Sequence, residues 1–154
     1  MKLHLIIYIA LAATLAGCAE KQDKELQTLV TEMRKSYAEG RDSACLVAID
    51  TLRAKFPKAI NERKEALKLY QSASLRIAQK QLAYVDSALE AEKRIFRDME
   101  KSVAAHKSAG TATAQELTAL TRKRMLRDSL QTQFDVLCAK IKYIHKRQKQ
   151  SAEQ

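Results

Sequence analysis

The chain has 154 residues, and its 28 lysines and arginines outnumber 18 aspartates and glutamates to give a formal charge of +10. A single proline, three glycines, no tryptophan and an abundance of Ala, Glu, Lys, Leu and Arg belong to long helices and exclude a sheet-built fold. A charge of this sign ordinarily suggests nucleic acid as a partner, but that inference depends on the compartment, which the N-terminus addresses.

Lys2 supplies a short positive segment, Leu5 to Leu15 form an apolar core interrupted by Tyr8 and Thr14, and small residues follow. This is the pattern of a secretory signal peptide over residues 1–17. The core is too short to span a bilayer, which takes about 20 helical residues. Leu15-Ala16-Gly17-Cys18 resembles the bacterial lipobox. The resemblance implies cleavage between Gly17 and Cys18, and acylation of Cys18 with diacylglyceryl and N-acyl groups. No other cofactor is expected. More than one acyl chain makes membrane attachment stable. Processing would remove only Lys2 among the charged side chains. An exported chain never meets cytoplasmic nucleic acid, so the expected counterparts are anionic lipid headgroups, lipopolysaccharide or acidic client proteins. In the lipoprotein-sorting scheme an aspartate after the cysteine retains the protein at the inner membrane. Ala19 stands there, so the expected location is the periplasmic face of the outer membrane rather than the inner membrane or the cell surface.

Residues 18–25 are polar and read as a tether, followed by one helical domain over 26–154. A first helix over about 24–39 carries Leu26, Leu29, Val30, Met33 and Tyr37 on one stripe. Gly40 interrupts it, Asp42 or Ser43 caps a second helix over about 42–56, and Pro57 ends that helix. Gly40, small Ala44 and Cys45, large Ile49 and Leu52, and Pro57 are similar to the second helix of a tetratricopeptide unit. The likeness covers residues 26–57, has no second copy, and implies a helical hairpin only. Asp42 stands where that family usually has an aromatic residue.

A third helix is expected over about 58–106. Leu75, Ala78, Leu82, Val85, Leu89, Glu92, Phe96, Met99, Val103 and His106 recur in steps of three and four, a heptad seam with one charged break. Thr113 and Glu116 form a capping box at the start of a fourth helix over about 114–148. Its stripe is Leu117, Leu120, Leu126, Leu130, Phe134, Leu137, Ile141 and Ile144. A short loop at Gly110 makes the two long helices antiparallel neighbours. The expected fold is all-α: an elongated antiparallel helical hairpin or coiled coil with a shorter helical pair at its base.

Folding about Gly110 sets Cys138 near Leu82, and folding about Pro57 sets Cys45 near Leu69, heights about 20 Å apart along the axis. A disulfide requires Cα atoms within about 7 Å. Cys45 and Cys138 are therefore expected as two unbridged, largely buried thiols. The same register places Glu92 opposite Asp128 and within a turn of Arg124 and Arg127, predicting a register-setting ion pair from Glu92 to Arg124 or Arg127. His106 and His145 have no Cys, Asp or Glu at metal-ligand spacing on their own helices. No catalytic residue and no metal site is expected.

Basic residues gather in Arg53 to Lys68, Arg122 to Arg127 and Lys140 to Lys149, as ordinary solvated faces or as a surface for anionic headgroups. The expected function is non-enzymatic: a membrane-anchored envelope lipoprotein acting as a helical spacer or as a docking module for another envelope protein. The alternative is a membrane-tethered holdase, similar to the periplasmic chaperones that escort outer-membrane proteins, although their strand-built trimerisation body is not visible here. The heptad seam can be satisfied within the chain or by self-association.

Overall fold

The computed structural model describes residues 21–153, which hold four helices and no strand. We number them α1 (residues 21–38), α2 (Asp42–Lys55), α3 (Ile60–Ser108) and α4 (Ala114–Ala152). The all-α expectation therefore holds. Residues 1–20 and 154, among them Lys2, Leu15, Ala16, Gly17 and Cys18, lie outside the described residues. Where the sequence suggested a tether to residue 25, the chain is already helical from residue 21, and Glu25 accepts a hydrogen bond from Lys55 Nζ at 2.5 Å.

Both glycine breaks have the same cause. Gly40 has φ of 74° and Gly110 has φ of 71°, the left-handed region that side chains with a Cβ adopt at a cost. Gly40 N–H donates to the Tyr37 carbonyl at 3.1 Å, and Arg41 N–H reaches back to Ser36 O at 2.9 Å. Gly110 repeats this pair of bonds with Lys107 O (3.1 Å) and, through Thr111 N–H, with His106 O (2.8 Å). Each is a Schellman closure, which satisfies carbonyls that the helix end would otherwise leave unbonded. The N-cap of α2 is Arg41, with no side-chain cap, so the expected capping by Asp42 or Ser43 does not occur. Asp42 instead sits buried in the first turn, where the helix dipole favours a negative charge. α2 ends at Lys55 because Pro57 follows, and the chain re-enters helical geometry at Ile60.

The chain divides into two compact units within α3, the first ending at Ser74 and the second beginning at Leu75. In the first unit, Val30 and Met33 of α1, Cys45, Ala48, Ile49 and Leu52 of α2, and Ala66 and Ala73 of α3 form one buried cluster. Leu26, Leu29, Tyr37, Leu46 and Leu69 pack around it. Small residues on α3 let the α1–α2 pair approach closely. Two ion pairs tie the rim: Arg34 donates to both carboxylate oxygens of Glu65 at 2.5 and 2.6 Å, and Lys55 bonds Glu25. The guanidinium of Arg53 lies 4.7 Å from the centroid of the Tyr70 ring.

The second unit is an antiparallel pair, the rest of α3 against α4. From α3 it buries Ala78, Val85, Leu89, Glu92, Phe96 and Val103, and Leu82 and Met99 are half-buried. From α4 only Ile144 is fully buried; Leu120, Leu130, Phe134, Leu137 and Ile141 are half-covered. Two helices can bury one line of side chains each, so this core is thin. The seam of α4 differs from the expected stripe in one stretch. Between Leu120 and Leu130 it passes through Lys123 and Arg127, both half-buried, while Leu126 is 46% exposed. Strict alternation of steps of four and three from Glu116 runs through Leu120, Lys123, Arg127, Leu130, Phe134, Leu137 and Ile141 to Ile144.

Candidate functional site

The charged layer in the second unit follows from that course. Glu92 is buried, and Lys123 Nζ lies 3.1 Å from each of its carboxylate oxygens. The ammonium donates a hydrogen bond to Oε2, while Oε1 is buried with the ion contact but no hydrogen bond. The sequence pointed to Arg124 or Arg127 as the partner, and this is corrected. The guanidinium of Arg127 lies 4.3 Å from the Phe96 ring centroid and donates to Asp128 Oδ1, and that of Arg124 lies 5.9 Å from the same ring. Phe96 is one turn from Glu92 on α3, so its ring face takes up both guanidiniums and leaves the carboxylate to Lys123. Lys123 carries a signal in the sequence, since unbroken heptad spacing from Leu120 leads to it.

At the loop end of the same unit, Glu116 joins two functions. Its Oε2 accepts from Thr113 N–H at 2.8 Å and from the Thr113 hydroxyl at 3.0 Å, and Thr113 Oγ1 accepts from Glu116 N–H at 3.2 Å. This is the capping box read from the sequence. Its other oxygen, Oε1, is 2.7 Å from Nδ1 of His106. His106 thus finds a carboxylate on the neighbouring helix, its own helix having none at ligand spacing. The hydrogen bonds from the Thr113 backbone and hydroxyl, and then from His106, hold the Glu116 carboxyl below its ordinary value.

The two cysteines differ. Both are thiols with no disulfide, Cys45 within the buried cluster of the first unit and Cys138 exposed on α4 of the second. The expectation of two buried thiols is therefore corrected for Cys138. The seam steps from Leu137 to Ile141, and residue 138 falls one position off it.

Among the described residues no group of three or more His, Cys, Asp or Glu side chains is placed to hold a metal ion. No helix among them is long and apolar enough to cross a membrane. The concavities of the second unit are open grooves between α3 and α4. One, of about 530 Å³, is floored by Met99, Ala119 and Leu126 and edged by Arg122 and Lys123. Met125, 67% exposed, and Ile95 add apolar surface to this stretch of the two helices. No protein-family model matches the chain, and no curated protein or solved structure is significantly similar to it.

Proposed function

We propose that the protein is a non-enzymatic envelope lipoprotein, held by lipid on Cys18 to the periplasmic face of the outer membrane, whose paired α3 and α4 serve as a spacer and docking module. The lipobox residues Leu15 to Cys18 support the anchor. The observation that carries the docking role is the apolar surface left open where α3 and α4 are already satisfied by each other. Leu126 lines the groove with Met99 and Ala119 and is 46% exposed, and Ile95 and Met125 are exposed on the same stretch of α3 and α4, although heptad pairing has used the inward faces. Exposed apolar side chains grouped in this way mark contact surfaces more often than single ones do.

The test is a pull-down from detergent-solubilised envelopes with the native lipoprotein as bait. One stoichiometric partner is expected, lost when Met125→Glu and Leu126→Glu are combined. Recovery that is indifferent to these substitutions refutes this surface as the docking face. A Cys18→Ser companion tests the anchor, and a variant that stays acylated and membrane-bound refutes it. A tethered holdase is a second reading, favoured by the groove at Tyr84, Val85, Val136 and Leu137, whose apolar floor has a neutral and basic rim. Suppressed aggregation of an unfolded barrel protein, with no stoichiometric partner recovered, would favour it.

A further inference from the structure

The three basic clusters are not equivalent in the structure. In the first, Arg53 lies 3.7 Å from Asp50, Lys55 bonds Glu25, and Arg63 donates to the Pro57 carbonyl. In the second, Lys123 is held by Glu92 and Arg127 by Asp128 and the Phe96 ring. The third is different. Residues 136–152 contain no acidic side chain, and among the described residues Lys140, Lys142, Lys146, Arg147 and Lys149 pair with no carboxylate. Arg147 donates only to the side chain of Gln150, at 3.2 Å.

The placement of these cations on α4 is ordered. At about 100° per residue, Leu137, Ile141 and Ile144 point to α3, and Tyr143 lies on the outward side of α4, with Val136 between that side and the groove it shares with Tyr84 and Val85. Tyr143 is 62% exposed and Val136 61%. Lys142, Lys146 and Lys149 flank Tyr143 on one side, and Lys140 and Arg147 flank it on the other, all of them exposed. The cations therefore spread over roughly half the circumference of the helix, with an aromatic ring at the middle of the arc.

We propose that this C-terminal face of α4 docks on an anionic lipid surface, its cations on headgroup phosphates and Tyr143 in the headgroup layer. A plane of negative charge engages the whole arc at once. An acidic helix would meet one narrow stripe and leave the cations at the edges of the arc uncompensated. Tyrosine, with an apolar ring and a polar hydroxyl, is suited to the interface between headgroups and acyl chains. Each cation close to an anionic surface is worth about a fivefold gain in partitioning. This contact goes beyond the acyl anchor and does not require one, although an anchor would raise its effective concentration.

The test uses the full chain purified from membranes, carrying Cys138→Ser and a fluorophore on Ala139→Cys, reconstituted with a headgroup-attached quencher. The vesicles are phosphatidylcholine alone, or phosphatidylcholine and phosphatidylglycerol in equal parts. Quenching is expected only with phosphatidylglycerol, and high salt should abolish it. Combining Lys140→Gln, Lys146→Gln and Arg147→Gln should lower the docked-to-undocked ratio on the order of 100-fold. Equal quenching in both lipids, or no change in the triple variant, overturns the proposal. A response of the label to polyglutamate but not to anionic vesicles also overturns it and assigns the face to an acidic protein. The mass of the Cys18 peptide from the same preparation reports acylation separately. A chain without lipid would end the anchoring reading, and the label would still decide the docking of α4.

Discussion

The buried pair of Glu92 and Lys123 makes an asymmetric prediction. The Glu92 side chain is 8% exposed and that of Lys123 32%, so the carboxylate is the trapped partner and the ammonium is not. Lys123→Met leaves a buried carboxylate without its cation. Breaking a fully buried pair in this way costs about 3–5 kcal/mol, and the partial exposure of Lys123 reduces the expected loss to about 2 kcal/mol. Glu92→Leu removes the trapped group instead. The lysine can then swing its ammonium into water, and the new side chain contributes up to about 1.5–3 kcal/mol of burial, so stability should hold or rise. The double variant Glu92→Leu, Lys123→Met should equal or exceed the parent, as apolar replacements of buried pairs often do. Urea denaturation followed by helical circular dichroism gives all the corners of the cycle, and the coupling energy follows from their differences. A Lys123→Met loss below about 0.5 kcal/mol would show an ordinary surface pair. A Glu92→Leu loss as large as that of Lys123→Met would show that the burial asymmetry has no energetic consequence.

Other regions give independent tests. Gly110→Ala should cost about 1–2 kcal/mol in thermal or urea unfolding, because its φ of 71° is left-handed while nothing lies within 4 Å of the added Cβ. Leu52→Ala, in the buried cluster of the first unit, should cost about 2–5 kcal/mol by the same assay. In native protein a thiol reagent should modify Cys138 quickly and Cys45 only on unfolding, and fast labelling of Cys45 would contradict its place in the core. The Glu116 carboxyl is held below its ordinary value in the folded chain, so its contribution is fully present above the unfolded carboxylate value, about 4.3. That contribution is lost as pH falls through the lowered folded value, and Glu116→Gln should flatten this part of the acid-unfolding profile.

The helix boundaries were legible because they rest on local backbone chemistry. Gly40, Pro57, Gly110 and the Thr113–Glu116 pair each act within a few residues of themselves, and the inner helix ends fall where these residues require. At the outer ends, α1 begins before the expected residue 24 and α4 runs past the expected residue 148 to Ala152, where no such residue marks the end. The buried face of α3 was legible for a related reason, since its apolar residues keep strict heptad spacing. The seam of α4 was not. Following apolarity from Leu120 leads to Leu126, whereas the backbone period leads to Lys123 and Arg127. Long basic side chains can line a seam with their methylene stems while their charged ends reach a carboxylate or a ring face. The partner of Glu92 was expected from height along the hairpin, which sets it opposite Asp128, whereas the long side chain of Lys123 reaches it from more than a turn away. Cys138 has the same origin, because its expected burial came from height along the hairpin alone, and height does not say which way a side chain points. The link between His106 and Glu116 joins two helices across the loop, and no spacing within either helix reveals it.

The short loop at Gly110 already limits how far α4 can slide along α3, so register alone gives little reason for a charged layer in the seam. Choice of partner gives a better one. Without Glu92, the α3 seam is an unbroken apolar line from Leu75 to Val103, suited to a second copy of itself as well as to α4. In a parallel pairing of two α3 helices, Glu92 would meet Glu92, whereas α4 brings Lys123 to it at 3.1 Å. A layer that one partner satisfies and another leaves as buried like charges selects between them even where it adds little stability. Glu92→Leu should therefore increase concentration-dependent association in sedimentation velocity, and Glu92→Lys with Lys123→Glu should restore the parent behaviour. If Glu92→Leu sediments as the parent does across the concentration range, the layer does not discriminate between helices, and the pair is left with its local ion contact alone.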